Sequence, residues 1–359
     1  MRLAQLKPKL LLPALALAFA AGALAVPEAR GQDLVIGGEK IADAALLAAA
    51  RKEGKMTLYG TWTPDNQKTL SDAFKKDTGV DVSFIRLTSG KMYQRVVAEH
   101  AAGRLGADFI DLTDLTFVVD LVEKGVLTVP HRSPGFDKIP ANLKDPQGRW
   151  YTFMLLIQII GINTALVKPG DEPKGYKDLL DPKWKGKIGM PTIDAGGSAF
   201  AAQAFIREVV DKDFWPKLKA QEPRIYPSVA PTVTDMVRGE VSVAFSGHST
   251  VLNQSKKGAP AKVIFPAEGL PSFPLTGGVA VSAKNPNAAK LYLNYVTSKR
   301  GGTVIAGTGN YGTNADAPIP SEPGLTYPPQ SKLWSLDAAH WIKVRDSYSE
   351  EWRAIFGAK

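Results

Sequence analysis

The 359-residue chain contains no cysteine. That excludes a disulfide framework, a thiolate metal site and a cysteine nucleophile. It also excludes a lipid-modified cysteine behind the N-terminal apolar run. Histidine is scarce: His100, His131, His248 and His340 are far apart. Neither a G-x-S-x-G elbow nor an H-E-x-x-H helix is present, so an exported hydrolase, the rival from another function class, has no signature here. Beyond the first 25 residues no apolar run approaches the roughly 20 needed to span a bilayer. The 44 basic and 35 acidic residues are spread without long blocks. No basic stripe with interleaved aromatics marks a nucleic-acid surface, so no nucleic-acid partner is expected.

What is present begins at the N-terminus. Arg2, Lys7 and Lys9 precede an apolar run over residues 10–24, and Ala23-Leu24-Ala25 supplies a small-x-small site. This pattern predicts a signal peptide over residues 1–25, cleaved after Ala25. A soluble exported chain without a tether is best retained in a periplasm. Removing 25 of the 359 residues leaves 334, enough for two domains, and lowers the net charge from +9 to about +6. A mildly positive average potential suits an anionic ligand.

Along the mature chain, helix-period and strand-type stretches alternate. Residues 41–53 read as a helix ending at Gly54, and 55–60 as a buried-type strand. Helix 65–76, strand 80–87, helix 91–102, strand 107–112 and helix 115–124 follow. Such alternation with short loops predicts a parallel sheet covered on both faces, an α/β fold. Residues 151–163 (YTFMLLIQIIGIN) form the longest apolar run after the signal. They read as one long strand, or two meeting at Gly161, of the length a crossing between two lobes requires. A second lobe follows, with strands near Ile188, at 241–245 and at 263–265. Residues 276–282 carry the chain back; 287–298 read as a helix and 301–314 as a glycine-rich finish. Residues 317–330 are proline-rich, and 337–356 form one or two amphipathic helices.

Residues 174–197 (KGYKDLLDPKWKGKIGMPTIDAGG) are the most informative stretch. Asp181-Pro182 stops a short apolar turn, because proline disfavours a helical residue before it. Trp184 anchors the loop while neighbouring lysines stay in water. A short strand then runs through Asp194-Ala195-Gly196-Gly197-Ser198 into an Ala/Phe-rich helix over 199–210. A strand, a glycine turn and a helix start present backbone N–H groups to a ligand, although an ordinary α/β connection has the same form.

Together with ARKEGKMTLYGTW (50–62), TSG (88–90), ADFIDLTD (107–114), GINTALVKP (161–169), TGGVAVSAKNPNAAKLYLNYVTSKRGG (276–302) and NYGTN (310–314), this stretch resembles the iron/thiamine/phosphonate branch of the type II periplasmic solute-binding proteins of ABC importers. The resemblance covers essentially the whole mature chain. It implies a two-lobed Venus-flytrap fold with two crossover strands: lobe 1 from 33–155 plus 275–316, lobe 2 from 160–270, and residues 317–359 packed on lobe 2. It implies a monomeric binding protein rather than an enzyme, without cofactor, that captures a small-molecule solute and delivers it to permease subunits in the inner membrane.

That family places its ligand contacts at the C-terminal ends of the strands, where open α/β sheets bind. Carried over, the candidate ligand residues are Thr61, Trp62, Thr88, Ser89, Gly90, Thr113 and Asp114 from lobe 1. Asp194, Gly197, Ser198, Ser246, His248, Ser249, Gly277 and Gly278 complete the set. Residues 88–90 also fit a plain N-cap, Trp62 a core position, and His248 a structural one. No metal is expected: Asp108, Asp111 and Asp114 scatter along a strand and loop. Iron-binding members carry two adjacent tyrosines near residue 246, and this chain has none anywhere. Ferric iron therefore stays an alternative, and polyamines are disfavoured by the few acidic residues in the candidate loops. An anionic head held by N–H groups at 88–90 and 196–198 is expected, with His248 adding affinity as pH falls toward about 6.5.

Overall fold

In the computed structural model, residues 31–357 are described; the signal-peptide reading lies outside them. Strands β1 (Leu34–Ile36) and β2 (Glu39–Ala42) form a hairpin turned on Gly37 and Gly38, both at positive φ (58° and 82°). Helix α1 (Ala44–Glu53) starts only at Asp43, whose carboxylate accepts from the Leu46 N–H at 2.8 Å. Ile41 and Ala42, read from sequence as helical, are strand residues buried by neighbouring elements.

The next elements follow the predicted alternation closely: β3 (Lys55–Gly60), α2 (Pro64–Thr78), β4 (Asp81–Arg86), α3 (Ser89–Ala101), β5 (Phe109–Leu112) and α4 (Leu115–Glu123). Strand β3 pairs in parallel with β4 and β5, so the loops after all three open at one sheet end. Strand β6 (Tyr151–Asn163) is a single unbroken element, buried at all 13 residues. The second half contains β7 (Ile188–Pro191), α5 (Gly197–Phe205), α6 (Phe214–Lys219), β8 (Arg224–Tyr226), α7 (Val229–Arg238), β9 (Val243–Gly247), α8 (His248–Lys256) and β10 (Ala261–Ile264). The chain returns through β11 (Ser272–Val279), α9 (Pro286–Val296), α10 (Lys299–Gly307), β12 (Tyr311–Gly312) and α11 (Ala338–Phe356).

The sheet order is β4-β3-β5-β11-β6-β9-β7-β8, with β10 and β12 also paired to β6. Strand β6 joins the halves. Its residues up to Ile157 pair with β11, and from Gln158 onward they pair with β9. The middle of one strand is therefore the seam of the molecule.

Residues 301–314 are not a loose finish. Helix α10 runs through Gly301, Gly302 and Gly307, and Ser298 caps it by accepting from the Gly301 N–H at 3.0 Å. The glycines are needed for contact: a Cβ on Gly301 would lie 2.0 Å from the Tyr295 carbonyl oxygen. Helix α11 is one element that buries Trp341 and Trp352. It packs on α5 and α6 of the second half and also on α4 of the first half. No described helix is long and apolar enough to cross a membrane.

Candidate functional site

A cavity of about 70 Å³ lies at the β6 seam. At roughly 10–15 Å³ per enclosed water, that is room for a handful of non-hydrogen atoms. The first half contributes Thr61, Trp62 and Thr63 after β3, Arg86 at the end of β4, Thr88 and Ser89 at the start of α3, and Thr113 after β5. The second half contributes Ala195 and Ser198 near the start of α5, Ser228 and Val229 at the start of α7, and Gly247, Ser249 and Thr250 at the start of α8. Leu156, Ile157, Gln158, Phe273 and Asn310 form the floor.

Five helices thus begin at this cavity: the N-cap residues Thr63, Thr88 and Ser228 make no side-chain capping bond, and Gly196 and Gly247 have no side chain to make one, an uncapped start shared away from the cavity by the short α6. Elsewhere Asp43, Asp114, Ser298 and Asp337 cap α1, α4, α10 and α11 with their own side chains. At α9 the Glu53 carboxylate accepts from the Asn287 and Ala288 N–H groups instead. Unpaired N–H groups at a helix start favour negative charge.

The side chains repeat the pattern. Trp62 Nε1, Thr63 Oγ1, Arg86 Nε and Gln158 Nε2 are buried without a protein partner. The Trp62 and Gln158 side chains belong to residues only 2 % exposed. Arg86 makes no ion pair among the described residues, and burial lowers its pKa from the usual guanidinium value with no carboxylate offsetting the shift. No Asp, Glu, His or Tyr lines the cavity.

Seven predicted residues meet there: Thr61, Trp62, Thr88, Ser89, Thr113, Ser198 and Ser249. Ser89 and Thr113 are knitted together, with hydroxyls 2.8 Å apart and the Thr113 N–H donating to Ser89 Oγ at 3.0 Å. Thr61 is held from behind: its N–H donates to Asp111 Oδ1 at 2.9 Å. Burial pushes the Asp111 carboxyl up to about 7.

The structure puts the other predicted residues elsewhere. Asp114 caps α4 and accepts from Arg345 Nε at 3.2 Å. Asp194 accepts from Arg353 at 2.8 and 2.9 Å. Both carboxylates therefore face the arginines of α11 rather than a ligand. Gly277 and Gly278 lie within β11, where a Cβ would meet the Ile110 and Arg149 carbonyl oxygens at 2.4 and 2.2 Å. Their role is close strand packing. Gly197 meets the first half directly, since a Cβ there would lie 1.8 Å from the Thr113 carbonyl oxygen. Gly90 follows Ser89 in the first turn of α3 and does not line the cavity. Ser246 is fully buried in β9, donates its hydroxyl to the Gly247 carbonyl at 3.3 Å and does not line the cavity.

His248 corrects the pH expectation. Its Nε2 bonds the Tyr327 hydroxyl at 2.8 Å, its ring packs on Phe265 and Tyr327, and burial pushes its pKa down to about 4. It is a neutral structural residue outside the cavity. The sequence reading missed Thr63, Arg86, Gln158, Ser228, Phe273 and Asn310. For Arg86 a signal existed: a lone cation ends an alternating strand just before a Thr-Ser-Gly helix start.

Two lobes sharing β6, with helix starts converging on a seam cavity, define the type II periplasmic-binding class. A family profile described as bacterial extracellular solute-binding protein matches residues 105–332, and the chain belongs to that family, whose members serve ABC importers. A spermidine/putrescine-binding periplasmic protein of Haemophilus influenzae is 26% identical over 337 residues, covering 86% of this chain and 91% of its own. An Fe(3+)-binding periplasmic protein of Serratia marcescens is 23% identical over 266 residues, covering 72% and 78%. Among solved structures, the periplasmic binding protein AfuA of Actinobacillus pleuropneumoniae, with fructose-6-phosphate bound, aligns with a TM-score of 0.71 at 24% identity, covering 86% of this chain and all of that one.

Proposed function

We propose that this solute-binding protein captures a small anionic solute at the β6 seam and delivers it to the permease of an ABC importer. The observation that carries this reading is a cavity rich in unpartnered donors, holding one unpaired arginine and no carboxylate. Anions gain most from such a site, because each donor is already desolvated and has no protein partner to give up. The bound solute touches both halves, Thr61, Trp62, Arg86, Thr88, Ser89 and Thr113 from one and Ser198, Ser228 and Ser249 from the other, so it draws them together by hinge closure. Lobe 1 is residues 33–155 plus 275–316 and lobe 2 residues 160–270; the protein acts as a monomer, without catalysis, in the periplasm after cleavage behind Ala25.

The relatives named for spermidine/putrescine and Fe(3+) suggest cationic cargo. The cavity argues against both: a polyamine needs carboxylates, and a ferric ion needs hard anionic ligands, and neither lines it. The bound fructose-6-phosphate in the AfuA structure is in keeping with an anion. Native mass spectrometry of protein taken from the periplasm without denaturation tests the reading. A co-purified acid supports it; a polyamine or iron overturns it.

A further inference from the structure

We infer that the solute is an oxyacid anion carrying no amine, an inference resting on the anionic reading above. The first observation is what the cavity offers. Four buried donors, Trp62 Nε1, Thr63 Oγ1, Arg86 Nε and Gln158 Nε2, lack protein partners, and the free helix starts add backbone N–H groups. An oxyanion presents several acceptor lone pairs in a compact head and satisfies many donors at once.

The second observation is what the cavity withholds. An ammonium group brings three donors and no acceptor. The carboxylates nearest the site in sequence do not line it. Asp111 holds Thr61, Asp114 meets Arg345, and Asp194 meets Arg353 and Arg345. An amine on the solute would find only neutral acceptors such as Asn310 Oδ1, itself buried without a partner. It would also share the cavity with the Arg86 cation, and like charges in a partly dry site repel strongly. Zwitterionic solutes such as amino acids and aminoalkyl phosphonates are thereby rejected, while hydroxylated or aliphatic acids are admitted. Leu156, Ile157, Val229 and Phe273 give the body of the solute an apolar wall.

The test is titration calorimetry of the mature protein with four pairs that differ in an amine. These are ethylphosphonate and 2-aminoethylphosphonate, ethanesulfonate and taurine, glycolate and glycine, and glucose 6-phosphate and glucosamine 6-phosphate. In every pair that binds, the amine-free member is expected to bind at least 30-fold tighter, and Arg86→Gln to weaken that binding about 100-fold. An amine-bearing member that binds as tightly as its partner overturns this inference and leaves the anionic reading standing. Binding of none of the eight at millimolar concentration overturns both. Binding of the amine-free members that survives Arg86→Gln undamaged overturns the assignment of the head group to this donor set.

Discussion

Asp111 and Asp114 lie three residues apart, both fully buried, and are treated in opposite ways. Asp114, on the outer side of the seam, caps α4 and meets Arg345, which also comes within 3.8 Å of Asp194, itself held by Arg353. Asp111, behind the cavity wall, makes no ion pair among the described residues, and its Oδ2 has no partner among them. Arg86 is the mirror case, a cation in the cavity with no carboxylate. Outside, charges are matched; at the cavity, they are left open. Unmatched buried groups cost stability, so their concentration on one side marks where a ligand is meant to complete the set. The outer network ties α11 to both halves instead.

The largest expected effect is on pH dependence. Asp111 has a folded pKa of about 7, above its usual 3.8. The fold thus holds its proton more tightly than the unfolded chain does, so this contribution is fully present below about pH 4. It is lost as pH rises to about 7, on the order of 4 kcal/mol by linkage. His248, depressed from 6.5 to about 4, acts in the opposite sense: its contribution, about 3 kcal/mol, is present above 6.5 and lost as pH falls to 4. The two nearly cancel between pH 4 and 6.5. Thermal melts of Asp111→Asn should therefore show stability rising with pH across that window, and His248→Gln should show it falling. A variant that keeps the wild-type profile would mean that its residue is not buried as described. Solute affinity should stay flat through pH 6.5, since His248 is outside the cavity.

Next come the two arginines. Arg86→Gln should weaken solute binding about 100-fold, equivalent to about 2.7 kcal/mol, and leave the melting temperature level or higher, because an unpaired desolvated charge is removed. Arg345→Gln should do the reverse. It strands Asp114 and should cost about 3 kcal/mol of stability, with a smaller change in affinity. Combining it with Asp114→Asn, which retains the cap, should recover part of that loss. Calorimetry and melts on the same samples separate the two; equal effects on both readouts would erase the contrast.

Much of the fold was legible because periodicity and punctuation agree over the first half. In β3, α2, β4, α3, β5 and α4, strands and helices are divided by Gly54, Pro64, Gly79 and Thr88. Strand β6 was legible from length and β-branching alone. The failures were local. Residues 301–314 look like a loop by glycine content, and only the close contacts of Gly301 and Gly302 explain a helix there. At the site, position at a strand end could be read, but side-chain direction could not. Asp114 and Asp194 occupy the right loops and turn outward because α11, more than 140 residues later in sequence, brings them arginines. Gly277 and Gly278 show the same limit: glycine admits a ligand or a neighbouring strand equally, and here the strand fills the space. Asp111 is set apart only by the partner its Oδ2 lacks, which no sequence pattern marks.

The smallest effect is the most direct test of the open helix starts. Thr88 sits at the N-cap of α3 in extended backbone, φ −70° and ψ 154°, yet its side chain makes no capping bond. Aspartate caps more strongly than threonine and adds a favourable charge at the positive end of the helix. In a protein that does not use this end, Thr88→Asp would only stabilise, by about 0.5–1 kcal/mol. At a cavity lip it does two things at once. The new carboxylate takes the N–H groups that an anion would use and adds a negative charge beside Arg86. The expected outcome is a melting temperature a few degrees higher together with much weaker solute binding. A control at an already capped helix, Ser298→Asp on α10, should leave binding unchanged. If Thr88→Asp stabilised the protein and bound solute as well as the wild type, the start of α3 would be an ordinary helix end. Ser198→Ala, which removes one hydroxyl from the start of α5, should weaken binding only severalfold and leave the melt in place.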